Sequence, residues 1–167
     1  EESNCYTNDV PEEFITEMEE VEKEIDIPII GVVKPGAKSA VESTKNKRIG
    51  IIGTEGTIKS ELYTQYIHSI DPEITVVGKA CPLFVPLVEE GMLHDSVTDE
   101  VASRYLESMK EENIDSLILG CTHYPLLRST VGKIMGPEVN LVNPAYETAI
   151  SLDGLLRQNG IRADKDA

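Results

Sequence analysis

Cys121, Thr122 and His123 bring a thiol, a hydroxyl and an imidazole into three consecutive residues, directly after the apolar run Leu117-Ile118-Leu119 and Gly120. Tyr124 and Pro125 follow. An apolar run ending in Gly and followed by Pro reads as a buried strand turning into a helix, since Pro is favoured in the first helical turn. That turn sets Cys121 at the carboxyl end of a strand and beside the positive end of a helix. Open α/β sheets put their ligand sites at this kind of edge. The helix dipole and the nearby His favour the thiolate there, so the sulfur could serve as base or nucleophile near neutral pH. The same pattern also suits a buried structural Cys, because free Cys is among the most buried residue types.

The elements that must position this segment follow from periodicity. Runs of strand length are expected at Ile27–Val33, Arg48–Gly53, Ile74–Gly78, Ser116–Gly120 and Val139–Val142. Helical spacing is expected over roughly 11–25, 36–45, 57–69, 96–113, 125–135 and 145–158. Val97, Val101, Tyr105, Leu106 and Met109 mark one helical face, with Asp95 or Ser96 as cap and Asp99 or Glu100 reaching back in the first turn. Strands alternating with helices imply an α/β fold: an open parallel sheet flanked by helices.

Composition narrows the partners. The 167 residues are 40% hydrophobic, enough for one domain with a sizeable core. Fifteen basic residues against 30 acidic ones give a net charge of −15, which argues against nucleic acid, since phosphate backbones are bound by Lys and Arg. Much of the acid lies early, in Glu12-Glu13, Glu17 and Glu19 to Glu24. No stretch approaches the ~20 apolar residues that cross a bilayer, and none resembles a signal peptide. Cys5, Cys81 and Cys121 are widely spaced with no Cys-x-x-Cys pair, which points to a reducing cytoplasm rather than a disulfide framework or zinc site. His68 and His94 read as surface residues, and with His123 they form no metal-ligand spacing. Cys81, before Pro82, reads as packing.

Gly53-Thr-Glu-Gly-Thr-Ile-Lys-Ser60 invites a nucleotide reading, but Ile58 stands where a Walker A loop needs Gly before the Lys. The Gly-x-Gly-x-x-Gly fingerprint is absent too. What remains is a strand-to-helix turn offering Thr54 and Thr57 hydroxyls and amides, suited to a carboxylate as well as a phosphate. Either Thr could equally be an ordinary helix cap. Glu89 flanks the helical face Val85, Val88, Met92 and reads as a solvated helix carboxylate.

Leu117-Ile-Leu-Gly-Cys-Thr-His-Tyr-Pro-Leu-Leu127 resembles the second catalytic cysteine segment of glutamate racemases, cofactor-independent enzymes that supply D-glutamate for peptidoglycan. Three further blocks match in the family's order: Asp26-Ile-Pro-Ile-Ile-Gly-Val-Val-Lys-Pro-Gly-Ala37, the stretch Thr44 to Ser60, and Ala80-Cys-Pro-Leu-Phe-Val-Pro-Leu-Val-Glu-Glu-Gly91. The resemblance spans about residues 20 to 160. It implies two-base chemistry, in which one thiolate takes the α-proton of glutamate while a thiol on the opposite face returns one, without cofactor or metal. Cys121 would be one base, His123 would tune or relay its proton, and Thr122 would donate to the substrate. Thr54 and Thr57 would bind the substrate's carboxylate or amino group. Glu89 matches a carboxylate that assists one thiol, although the adjacent Glu90 could be the match instead.

The family's other cysteine lies in a Cys-Asn-Thr-Ala segment, against which Cys5-Tyr-Thr-Asn8 departs: Tyr6 replaces Asn and Asn8 replaces Ala. Cys5, with Thr7 beside it, is thus either the first catalytic cysteine, displaced, or a terminal residue that happens to be Cys. The family's Asp-Ser-Gly-x-Gly-Gly segment is absent, and Asn143-Pro-Ala145 stands where many relatives have Asp-Ser. The expected layout is an acidic helical lead-in over 1–25, remnant of a second domain, an α/β racemase domain over 26–142, and a C-terminal helix and tail over 143–167. A fragment or truncated relative of a bacterial, cytoplasmic enzyme is the expectation, acting on glutamate and prone to form homo-oligomers through apolar surface left uncovered. The competing expectation is a non-catalytic module that binds a ligand or a protein partner.

Overall fold

Four strands form one parallel sheet in the computed structural model, which describes residue 24 and residues 29–163. They are β1 (Arg48–Gly53), β2 (Thr75–Ala80), β3 (Ser116–Leu119) and β4 (Asn140–Val142), in the order β2-β1-β3-β4. The central pair, β1 and β3, is buried along nearly its whole length. Parallel sheets are covered on both faces, which is why these strands are continuous apolar runs rather than alternating ones. Ile49 of β1 pairs with Ser116 of β3, and Ile52 with Leu119.

Side chains alternate between two cores. Ile49, Ile51 and Ile118 join Ala37, Ala40, Tyr63 and Ile67 on one face. Ile52, Leu117 and Leu119 join Phe84, Leu106, Tyr124 and Val131 on the other. The first face is covered by α1 (Val33–Ser43) and α3 (Leu62–Ile70), with α7 (Pro144–Gln158) packed against α1. The second carries α4 (Phe84–Glu89), α5 (Ser96–Glu111) and α6 (Arg128–Met135). A short α2 (Glu55–Lys59) follows β1 directly, and a one-turn 3-10 helix (Tyr124–Leu127) precedes α6. The architecture is the expected α/β layering.

Several elements differ from expectation. The Ile27–Val33 run is not a strand over its described part: residues 29–31 are irregular and Val33 already opens α1. Pro35 sits in that first turn, where its fixed φ suits a helix, and an apolar run alone does not separate a strand from a buried helix start. The expected helix 57–69 divides into α2 and α3, because Glu61 adopts a left-handed conformation (φ 53°) that no α-helix can continue. In α5 the buried stripe is Thr98, Ala102, Leu106 and Met109, while Val97 is half exposed. Asp95 caps α5 by accepting the Val97 N–H at 2.7 Å. Asp99 does not reach back; it accepts a bond from Thr130 in α6 at 3.0 Å. Glu100 pairs with Arg104. The helix expected over 11–25 lies outside the described residues except for Glu24.

The amino edge of the sheet is tied by Asp115. Its carboxylate accepts from the Thr44 hydroxyl and from the backbone N–H groups of Lys45 (2.7 Å) and Asn46 (2.9 Å). Burial pushes this carboxyl's pKa up, but the bonds from Thr44, Lys45 and Asn46 outweigh it and hold it below the ordinary range.

Candidate active site

Because all strands run the same way, the turns after β1, β3 and β4 emerge at one edge, and there they enclose a cleft of about 250 Å³. Thr54 and Thr57 come from the first turn, Cys121 and Thr122 from the second, and Asn143 from the third. Two close approaches fix this edge. The Gly120 N–H donates to the Ile52 carbonyl at 2.7 Å, and a Cβ on Gly120 would lie 2.9 Å from that same oxygen. A Cβ on Gly53 would meet the Thr57 side chain at 2.9 Å. Glycine at both positions lets β1 and β3 end side by side with their turns in contact.

Cys121 is half-buried and lines the cleft. Its Sγ lies 3.9 Å from Nδ1 of His123, and the Thr122 hydroxyl lies 3.4 Å from the same nitrogen. On the far side of the ring, His123 Nε2 is 3.4 Å from Oε1 of Glu89, at the end of α4. Glu89, not Glu90, therefore contacts the imidazole. Glu89 faces Nε2 at contact distance without a formed hydrogen bond, and Nδ1, on the thiol side, can take a proton when it carries none.

The thiolate is less favoured than the sequence suggests. Burial raises the Cys121 pKa, and the amides of His123, Thr122 and Tyr124, together with the Thr122 hydroxyl, offset that only in part. Cys121 is followed by the 3-10 turn, which runs directly into α6.

Thr54 caps α2: its Oγ1 accepts the Thr57 N–H at 3.2 Å and lies 3.0 Å from the Thr57 hydroxyl. The two hydroxyls stand together on the cleft wall, so the capping geometry and exposure to a ligand coexist at one turn. Cys5 and Thr7 lie outside the described residues. Cys81 is fully buried, its thiol pushed up to about 12 by burial. His68 and His94 are both exposed, and His68 Nε2 lies 3.0 Å from the Ile74 carbonyl. Among the described residues no group of three His, Cys, Asp or Glu side chains converges as metal ligands, and no helix is long and apolar enough to cross a membrane.

Tyr63 is the cleft residue that sequence reasoning missed, hidden inside the expected helix 57–69. Its signal was placement: a tyrosine shortly after the turn that follows β1 begins at the sheet edge where ligands bind.

Residues 16–149 match the family described as Asp/Glu/Hydantoin racemase. The glutamate racemase of Geobacter metallireducens is 47% identical over 140 residues, 84% of this chain and 52% of that protein. That of Streptococcus pneumoniae is 44% identical over 149 residues, 89% of this chain and 56% of that protein. Among solved structures, a glutamate racemase isoform of Bacillus anthracis superposes with a TM-score of 0.83 at 40% identity, over 88% of this chain and 55% of that one. The Francisella tularensis glutamate racemase in complex with D-glutamate gives 0.79 at 33% identity, over 88% and 55%. The chain thus spans about half the length of the relatives it matches.

Proposed function

The chain belongs to the Asp/Glu/hydantoin racemase family, and from that membership we propose that it carries one catalytic half of a site that interconverts L- and D-glutamate. The observation that carries this reading is the Cys121–His123–Glu89 relay opening on a cleft at the carboxyl edge of the sheet. The imidazole accepts the thiol proton at Nδ1, Glu89 faces Nε2, and the resulting thiolate takes the proton from Cα of the substrate. A second thiol, Cys5 in this proposal, returns a proton to the opposite face, which inverts the carbon. The charge left on Cα is stabilised by fixed donors: Thr54, Thr57 and Thr122 on the cleft wall, with Thr7 beside Cys5. The chemistry is thiol-based and cofactor-independent, which suits a reducing bacterial cytoplasm, and its product D-glutamate would feed peptidoglycan synthesis.

The test is deuterium entry at Cα when the protein meets D- or L-glutamate in D2O. The reading expects exchange that Cys121→Ala abolishes. Racemisation lost with Cys121→Ala yet kept with Cys5→Ala would assign the second base elsewhere. A second reading, a non-catalytic module that binds an acidic ligand or a protein partner, draws support from Cys5-Tyr6-Thr7-Asn8, which departs from the family's Cys-Asn-Thr-Ala segment. No exchange together with retained glutamate binding favours it.

A further inference from the structure

Of the two buried tyrosines among the described residues, Tyr63 and Tyr124, only Tyr63 lines the cleft. It lies in the first turn of α3, is only 4% exposed, and lines the Cys121 cleft. Its ring edge abuts the backbone just before the reactive sulfur: a Cβ on Gly120 would stand 3.4 Å from its Cε2. Tyr124, buried as deeply, donates its hydroxyl proton to the Cys81 carbonyl at 2.8 Å. The Tyr63 hydroxyl has no hydrogen bond to any of the described residues. Among those residues no side-chain N or O sealed from solvent lacks a partner, so this oxygen is reached by solvent rather than closed in the core, in a residue that lines the cleft. An almost fully buried phenol whose donor is free in a ligand-sized space offers that bond to a ligand that displaces the water there.

We propose that Tyr63 is a substrate-binding residue whose hydroxyl donates a hydrogen bond to a carboxylate of the acidic amino acid held in the Cys121 cleft. This rests on the glutamate reading of that cleft. Burial and the nearby negative charge of an ionised Cys121 both raise the phenol's pKa. The hydroxyl therefore stays protonated beside a thiolate, a donor and never a competing base. Thr54 and Thr57 face the same space from the turn after β1, so a carboxylate there meets hydroxyl donors from two elements.

The experiment is protection of Cys121 from iodoacetamide by D-glutamate, with the alkylated residue located by mass spectrometry, in the parent chain and in Tyr63→Phe. Removing one hydroxyl preserves shape, and the alkylation rate without glutamate reports whether the cleft is intact. The expected result is an unprotected rate within about twofold of the parent and a half-protecting glutamate concentration roughly 10- to 100-fold higher, the range for a bond to a charged group. An unchanged half-protecting concentration overturns the proposal and leaves the racemase reading standing. A several-fold change in the unprotected rate overturns it too, because Tyr63 would then act on the thiol and not on the ligand. Absence of protection in the parent chain defeats the glutamate reading, and the role of Tyr63 falls with it.

Discussion

Cys81 and Cys121 leave the same sheet at the same edge, yet their chemistries are opposed. Cys81 directly follows β2 and donates its backbone N–H to the Gly53 carbonyl at 2.9 Å. Cys121 follows β3 one residue later, after Gly120 has donated to Ile52. The residue after each decides the outcome. Pro82 and the turn into α4 drive Cys81 inward, where it packs in the core with Phe84 and Tyr124 and its thiol donates to the Lys79 carbonyl at 3.7 Å. Gly120 keeps β3's turn low, so that Cys121 faces the cleft with an imidazole at its side. Position at a strand end does not by itself make a reactive sulfur; an accessible cleft and a proton acceptor do.

The sharpest way to break this contrast is to exchange the two residues' fates by substitution. Cys121→Ala should cut α-proton exchange of glutamate by at least about a hundredfold, the lower range for losing a general base, while Cys81→Ala should leave exchange intact. Comparable loss from both would erase the distinction. The next effect is chemical: at pH 8, folded protein treated with iodoacetamide should be alkylated at Cys121 and spared at Cys81, whose thiolate fraction is then roughly one in ten thousand. Because the Cys121 pKa is raised, its alkylation rate should climb with pH to a midpoint above that of a free cysteine; a midpoint below it would restore the dipole-activated thiolate.

A smaller effect tests the relay. Glu89 is 62% exposed, so its 3.4 Å contact with His123 is worth at most about 1 kcal/mol, and Glu89→Gln should slow exchange by no more than about fivefold. Glu90→Gln should do nothing measurable. The smallest effect lies at the opposite edge, where polar groups hold the fold rather than a ligand. Asp115 has a lowered folded pKa, so its contribution to stability is present above the unfolded value near ~3.9 and is lost as pH falls through the folded one. Asp115→Asn should cost about 1 kcal/mol in urea unfolding at neutral pH, with the deficit narrowing as pH drops below about 4.

Legibility in the sequence followed burial. Arg48–Gly53 and Ser116–Leu119 were readable because both faces of each are covered, which forces unbroken apolar runs. Residues 29–33 carry the same signature, and only Pro35 hinted that a helix was starting. The break at Glu61 was invisible, since a left-handed glutamate is selected by tertiary packing and not by its own preference. Cys121 and His123 were legible because they are neighbours in sequence. Choosing Glu89 over Glu90 needed the rotation of α4, and Tyr63, though placed shortly after the turn that follows β1, was masked by the single long helix expected there.

The common direction of the four strands has one more implication, for how this protein could be changed. Tyr63 and Leu119 serve both a buried layer and the cleft, whereas Thr54, Thr122 and Asn143 line it from turns outside the two cores. Those turn residues could be rewritten to change what the cleft holds with both cores left undisturbed, so altered selectivity need not come at the expense of thermal endurance.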